Sequence, residues 1–385
     1  MHHQQAPRSV YVHIPFCKHK CYYCDFNTYA VQGQPVWDYL HALAAEMQQT
    51  VKRVPPGQID TIFVGGGTPT ILDNEQMRFL TDMLDQAFPE RSPDLEFTME
   101  ANPGTTAPDK LQIMREGGVN RISFGVQSFQ NELLEAIGRI HRVDEVYQSI
   151  EWARAAGLNN LSIDLMFGLP KQSLDHVEQS VDKALALELP HYSLYSLKVE
   201  EHTLFHTLYE QNRLPLPEEE EELAMYRLIM KKLESAGYRQ YEISNFASPG
   251  KESRHNIGYW RNRSYYGLGA GAHGYVQGRR HVNVKGVQAY IEAAAGGLPV
   301  AEQWDVSREE AMEDFMMVGL RMNEGVSEAD FAEQFGISLE EGFAPELAVC
   351  VEKGLLEKSD KGYRLTAVGR ELGNEVFAAF VGVHA

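Results

Sequence analysis

The sequence predicts an α/β fold built on a parallel sheet, followed by a small α+β module. Three observations predict it. Between residues 9 and 197, short β-branched and apolar runs alternate with longer stretches whose apolar residues recur every three or four positions. Polar or glycine-rich motifs follow one strand after another at the same end. From about residue 303 the pattern changes to helices and a short hairpin.

The elements follow in order. Residues 9–14 (SVYVHI) read as a strand that runs into the cysteine loop HIPFCKHKCYYCDF, 13–26. A helix over 36–53 follows, then a buried strand at 59–64 ending in GGGTPT. Next come helix 74–87, strand 95–100, helix 108–116, strand 121–126, helices over 130–137 and 143–156, strand 160–167, helix 173–187 and strand 191–197. Apolar strands that alternate with helices imply a parallel sheet covered by helices. Six such units fall short of the eight of a closed barrel, so an open partial barrel and a doubly wound sheet both accommodate them. In either, ligands belong at the C-terminal strand ends. The cysteine loop, GGGTP, EANPG, GVQSF and DLMFGLP all fall there, which argues for one shared site. Residues 216–238 read as a helix opening on an acidic run, which suits the helix dipole. The segment 265–275 (YYGLGAGAHGY) reads as a glycine-rich loop. Two domains are expected: 1–300, a barrel domain with an elaboration over about 200–300, and 301–385, a small winged-helix-like domain.

Composition excludes some functions. The 385 residues hold 35 Lys and Arg against 54 Asp and Glu, a formal charge of −19, which opposes nucleic-acid binding. Three of the four cysteines are clustered, a pattern of a reducing cytosol and a metal site rather than of disulfides. The segment MHHQQAPRSV is no signal peptide, and no run reaches the ~18 apolar residues of a membrane helix. A cytoplasmic protein is expected. Whether His2 and His3 are natural is left open.

Three thiolates suit zinc or an iron–sulfur cluster. Zinc needs a fourth ligand. His13, His19 and Cys350 are available, although Cys350 lies in an apolar helix and reads as a small core residue. Cys17, Cys21 and Cys24, spaced C-x3-C-x2-C, can instead hold three irons of a [4Fe–4S] cluster and leave the fourth open to a small molecule.

That spacing resembles the radical S-adenosylmethionine (SAM) superfamily, in which the open iron is chelated by SAM. The resemblance implies a partial (β/α)6 TIM-like barrel. It also implies a SAM site, with Tyr23 beside the adenine and the glycine triplet at the amino end, where Gly66, Gly67 and Thr68 match. Glu100, Gln127, Arg139 and Asp164, in EANPG, GVQSF, IGRIH and DLMFGLP, match SAM-contacting positions, and so does Tyr11.

The resemblance narrows to the group of oxygen-independent coproporphyrinogen III oxidase, from YVHIPFC to RLTAVGRELGN. The oxidase carries a fourth cysteine where Phe26 stands here, and an N-terminal extension where only sixteen residues precede Cys17. Both departures, with the CDF form of the loop, point to the HemW-type haem chaperone branch. That branch carries an H-N-x-x-Y-W motif implicated in haem binding, here His255, Asn256, Tyr259 and Trp260. The implied cofactors are the cluster, SAM and haem. The implied partners are haem-accepting proteins of the respiratory membrane, with peripheral membrane association through them, and a homodimer is allowed. An oxidase or another tetrapyrrole-modifying enzyme is the alternative, so enzymatic activity stays open and no catalytic residue is assigned. From the residues alone, His255 is either an axial ligand or a hydrogen-bonded structural histidine, and His273 is its rival. A zinc-stabilised module that meets nucleic acid through its winged helix is a distant third reading, which the charge opposes.

Overall fold

The structure is a computed structural model that describes residues 6–384. His2 and His3 lie outside them. Strand β1 (Ser9–Ile14) enters the cysteine loop, whose ends are joined by the short parallel pair β2 (Phe16–Cys17) and β3 (Tyr29–Ala30). Then follow α1 (Val36–Arg53), β4 (Ile59–Gly66), α2 (Asn74–Ala87), β5 (Arg91–Ala101), α3 (Pro108–Glu116), β6 (Arg121–Gln127), α4 (Asn131–Ala136), α5 (Val143–Ala155), β7 (Asn160–Phe167), α6 (Leu174–Leu185) and β8 (His191–Ser196).

The six long strands pair in parallel and in chain order, β1-β4-β5-β6-β7-β8. A doubly wound sheet would reverse its order at a switch point. Sequential order with right-handed crossovers keeps the helices on one face, the arrangement of a partial barrel. Alternation along each strand separates two faces. Val12, Ile62, Val64, Phe97, Met99, Ile122, Phe124, Leu161 and Ile163 are fully buried in the main core with the helices. Each contributes roughly 1.5–3 kcal/mol over an exposed position. The intervening residues, among them Tyr11, His13, Glu100, Arg121, Ser123, Asp164 and Ser193, line a polar barrel interior.

Local signals explain the helix boundaries. In α1, Leu40, Leu43 and Met47 are buried at helical spacing. A reciprocal Asp73–Gln76 capping box starts α2. Helix α6 starts at Ser173, whose side chain accepts the His176 N–H.

After α7 (Leu204–Glu210) and α8 (Glu219–Ser235), the hairpin β9 (Arg239–Glu242) and β10 (Asn245–Ala247) adds antiparallel to β8. Helix α9 (Arg254–Trp260) follows, and β11 (Tyr266–Leu268) then pairs in parallel with β1 at the opposite edge. The reading of 265–275 as a loop is therefore corrected: it holds β11 and the start of β12 (His273–Val276). A side chain at Gly267 would collide with the His273 carbonyl, so this glycine serves a close strand crossing.

Strands β12, β13 (Arg279–Asn283) and β14 (Val300–Asp305) form a second, antiparallel sheet, with α10 (Val287–Gly296) inserted before β14. The remaining elements are α11 (Arg308–Gly319), β15 (Val326–Ser327), α12 (Glu328–Phe335), α13 (Leu339–Glu352), β16 (Leu356–Lys358), β17 (Gly362–Leu365), α14 (Ala367–Glu371) and α15 (Gly373–Ala378). They enclose a second core, which includes Phe331, Phe343, Leu347 and Cys350. Among the described residues no helix is long and apolar enough to cross a membrane.

Candidate functional site

The cysteine loop is held by the glycine triplet. Gly67 N–H donates to the Ile14 carbonyl (2.9 Å) and Thr68 N–H to the Phe16 carbonyl (2.7 Å). A Cβ at Gly67 would sit 2.6 Å from the Phe16 oxygen, and one at Gly65 would sit 2.6 Å from Glu100 Oε2. At Gly66 it would strike the His13 ring, and the backbone there takes φ +103°. Only glycine allows this approach. The other side of the loop rests on α4 and α7. Tyr22 N–H donates to the Ile137 carbonyl, and Phe205 lies beside the Tyr22 and Tyr23 rings.

Side chains converge on the sulfurs. Thr68 Oγ1 donates to Cys17 Sγ at 3.6 Å and accepts from Asn102 Nδ2 at 2.8 Å. Asn102 Oδ1 accepts from Arg139 Nη2 at 2.6 Å, and Arg139 Nη1 points at Cys21 Sγ at 3.6 Å. One continuous arc thus joins Cys17 to Cys21 through Thr68, Asn102 and Arg139. Arg139 also donates to the Gly125 carbonyl. Tyr23 lies beside Cys21 and Arg139. The Phe26 backbone N–H faces Cys24 and favours its thiolate. Position 26 therefore serves through its backbone, while the Phe26 side chain is 59% exposed. Burial pushes the Cys17 thiol up to about 11 and raises Cys24 too.

Beyond the arc lie the carboxylates. Gly66 N–H donates to Glu100 Oε2 at 3.0 Å. Burial first, and then the nearby Asp164, pushes Glu100 up to about 7. Asp164 is raised mainly by burial, opposed by bonds from Ser193 and Ser123. Tyr11 OH meets His13 Nδ1 at 2.9 Å. Gln127 ends β6 at a register shift with φ 68°, a left-handed conformation unusual for a residue with a side chain. The structure thus brings Tyr11, Tyr23, Gly66, Gly67, Thr68, Glu100, Gln127, Arg139 and Asp164 to the cysteine end of the barrel. Sequence reasoning missed Asn102, Ser123, Ser193 and the buried Arg121, whose charge acts on both carboxylates. For Arg121, Ser123 and Ser193 the signal was present, as polar residues alternating with apolar ones along β6 and β8, and Asn102 stands inside the EANPG motif just after β5.

The residues present fit a cubane cluster better than a single zinc ion. A hydroxyl, a guanidinium and a backbone N–H each point at a different sulfur, as suits three metal-bound thiolates. Among the described residues no three His, Cys, Asp or Glu side chains converge as a single-ion site requires. His13 is held between Tyr11 and the Asn27 carbonyl, and Cys350 lies in the second core.

The H-N-x-x-Y-W motif lies elsewhere, on α9 at the opposite end of the barrel. His255 is 1% exposed. Its Nδ1 meets Thr61 Oγ1 at 2.8 Å and its Nε2 meets Tyr259 OH at 2.8 Å. Glu96 accepts the Arg254 and His255 N–H groups, which docks the start of the helix. Burial, with Arg121 nearby, lowers His255 to about 3. Thr61 precedes Gly66 by five strand residues, roughly 16 Å. Trp260 faces away: Arg321 lies 4.4 Å from its ring centroid, and it packs with Met322. Asn256 is half-buried on the same helix. The motif therefore does not gather its four side chains around one cavity; Tyr259 alone reaches the open one. That cavity, of about 510 Å³, is lined by Tyr259, Tyr265, Phe26, His273, Lys20 and Lys285, and extends to Gly66 and Glu100.

Comparison with known proteins adds a second line of observation. Residues 11–184 match the family model of the radical SAM superfamily, and residues 306–372 match that of the HemN C-terminal domain. The chain is 50% identical to the heme chaperone HemW of Bacillus subtilis over 97% of its own length and 99% of that protein's. It is 36% identical to the heme chaperone HemW of Escherichia coli over 97% and 98% of the two chains. Among solved structures, coproporphyrinogen III oxidase (HemN) of Escherichia coli, described as a radical SAM enzyme, superposes with a TM-score of 0.86 at 24% identity. The match covers 98% of this chain and 91% of that one, and shows a shared fold.

Proposed function

The chain belongs to the HemW family of the radical SAM superfamily, and from that premise we propose that it is a haem chaperone that carries a [4Fe–4S] cluster and SAM and hands haem to acceptor proteins. Cys17, Cys21 and Cys24 would hold three irons. The observation that carries this reading is the arc from Cys17 through Thr68, Asn102 and Arg139 to Cys21, because it pre-places donors where thiolate charge must be stabilised.

When bound, the cluster supplies one-electron chemistry at an iron left open to the amino and carboxylate groups of SAM. The chain's own residues bind and orient. Glu100 is fixed by the Gly66 N–H and Asp164 by Ser123, so both present acceptors for ribose hydroxyls. Arg139 holds positive charge beside Cys21. Tyr11 and Tyr23 supply aromatic surface, and Gln127 a polar group, at the same mouth. With Phe26 in place of a fourth cysteine, the oxidase reaction is not expected of this site. The acceptors are haem proteins of the respiratory membrane. The protein itself acts from the cytoplasm and meets the membrane through them.

The test is an anaerobic haem-transfer assay. Reconstituted protein loaded with haem should transfer it to a haem-free acceptor. Cys21→Ala should lose the brown chromophore and SAM binding. Robust conversion of coproporphyrinogen III to protoporphyrinogen, on addition of SAM and reductant, would overturn the proposal.

A further inference from the structure

Haem asks three things of a protein: a neutral imidazole for the iron, flat apolar walls for the ring, and cations for its two propionates. The motif helix α9 offers the first only at a cost, because both ring nitrogens of His255 are engaged and its side chain is sealed in the barrel. A single cavity elsewhere meets all three.

We propose that His273, at the start of β12, is the haem-iron ligand, and that haem lies on the His273, Lys20 and Lys285 side of the cavity between the cysteine loop and the β11–β12 turn, with the Tyr11, Gly66 and Glu100 side left to SAM. This rests on the haem-chaperone reading and names the site within it. His273 is exposed, and its imidazole makes no hydrogen bond to another described residue. Burial, with Lys285 and Arg280 nearby, lowers its proton affinity, so the ring is neutral and its lone pair available at pH 7. Tyr259, Tyr265 and Phe26 supply aromatic wall. Lys285 and Lys20 line the same cavity, and neither forms an ion pair with a described residue, so both can meet propionates.

The site is also rigid. Gly269 N–H is held by Glu46 (2.8 Å) and Ala270 N–H by the Tyr39 hydroxyl (3.1 Å). Asn27, three residues beyond Cys24, donates to the carbonyls of Ala270 and Lys285, both at 2.9 Å. The cluster loop and the proposed haem wall are thus one hydrogen-bonded unit.

The test is a spectroscopic titration of the reconstituted full-length protein with ferric haem. His273→Ala should lose the imidazole-ligated Soret band and weaken uptake by about tenfold or more, and free imidazole should restore the band. Lys285→Glu should weaken uptake with an unchanged band. His255→Gln, checked for folding by circular dichroism, should keep the wild-type band. A His273→Ala protein with wild-type band and affinity would overturn the assignment. Wild-type protein that takes up no haem would overturn the functional reading itself, and the assignment with it.

Discussion

The amide of Asn102 has one donor on Thr68 and one acceptor facing Arg139, so it fixes both groups that point at Cys17 and Cys21. Among the described residues neither contact to sulfur has another brace of this kind: the Thr68 hydroxyl has no further side-chain partner, and Arg139 retains only the Gly125 carbonyl. Asn102→Ala should therefore leave three cysteines able to assemble a cluster but loosen its surroundings. The expected outcome is a cluster lost about tenfold faster to chelator, with SAM binding weakened in step. Iron release followed by absorbance checks it. A release rate equal to wild type would mean that the arc does not support the thiolates. Arg139→Lys would test the same point through geometry, since an ammonium cannot span Asn102 and Cys21 together.

At the scale of elements, α9 is held by residues far away in the chain, Thr61 and Glu96 on neighbouring strands, and its His255 is braced within the helix by Tyr259 one turn further on. Thr61→Val keeps the shape and removes the hydroxyl, leaving His255 Nδ1 buried without a partner. It should destabilise the protein by about 1–3 kcal/mol, read as a lower thermal midpoint, and leave the haem Soret band unchanged. A shifted band would return His255 to the iron. The contrast between α9 and the six β/α units also shows what a sequence makes legible. Residues 9–14 and 36–53 were readable as strand and helix because their periodicity is local. So were the cysteines and GGGTP, whose spacing is the signal. The placement of HNxxYW was not, because its partners on β4 and β5 lie 158–194 residues away. Strand β11 was hidden for another reason: it has three residues, one of them a glycine that packing requires.

Across the whole molecule, one buried carboxyl ties α1 to the β11 edge of the main sheet, to the second sheet and to α10. Glu46 on α1 accepts from Gly269 at the end of β11, from Asn283 on β13 and from Tyr290 on α10. Burial outweighs these bonds and pushes it from 4.5 up to about 7. The sign follows. Below pH 4.5 the acid is protonated whether the chain is folded or not, and its contribution is complete. As pH rises from 4.5 through about 7, the unfolded chain releases this proton more readily than the folded one, and stability is lost. The rise corresponds to roughly 3 kcal/mol. Buried histidines, His13 among them, oppose it. His255 and His141 are each lowered from 6.5 to about 3, and His191 is lowered well below 6.5, all mainly by burial. Their contribution is present above pH 6.5 and lost as pH falls below it. The wild-type profile is therefore a sum of opposed slopes, and only a difference isolates Glu46. Glu46→Gln removes the ionisation and keeps the size. Denaturant unfolding of both proteins should show the stability of wild type relative to Glu46→Gln falling by a few kcal/mol as pH rises from about 4.5 to about 7. A difference that stays flat over that range would mean that Glu46 ionises as readily inside the protein as outside.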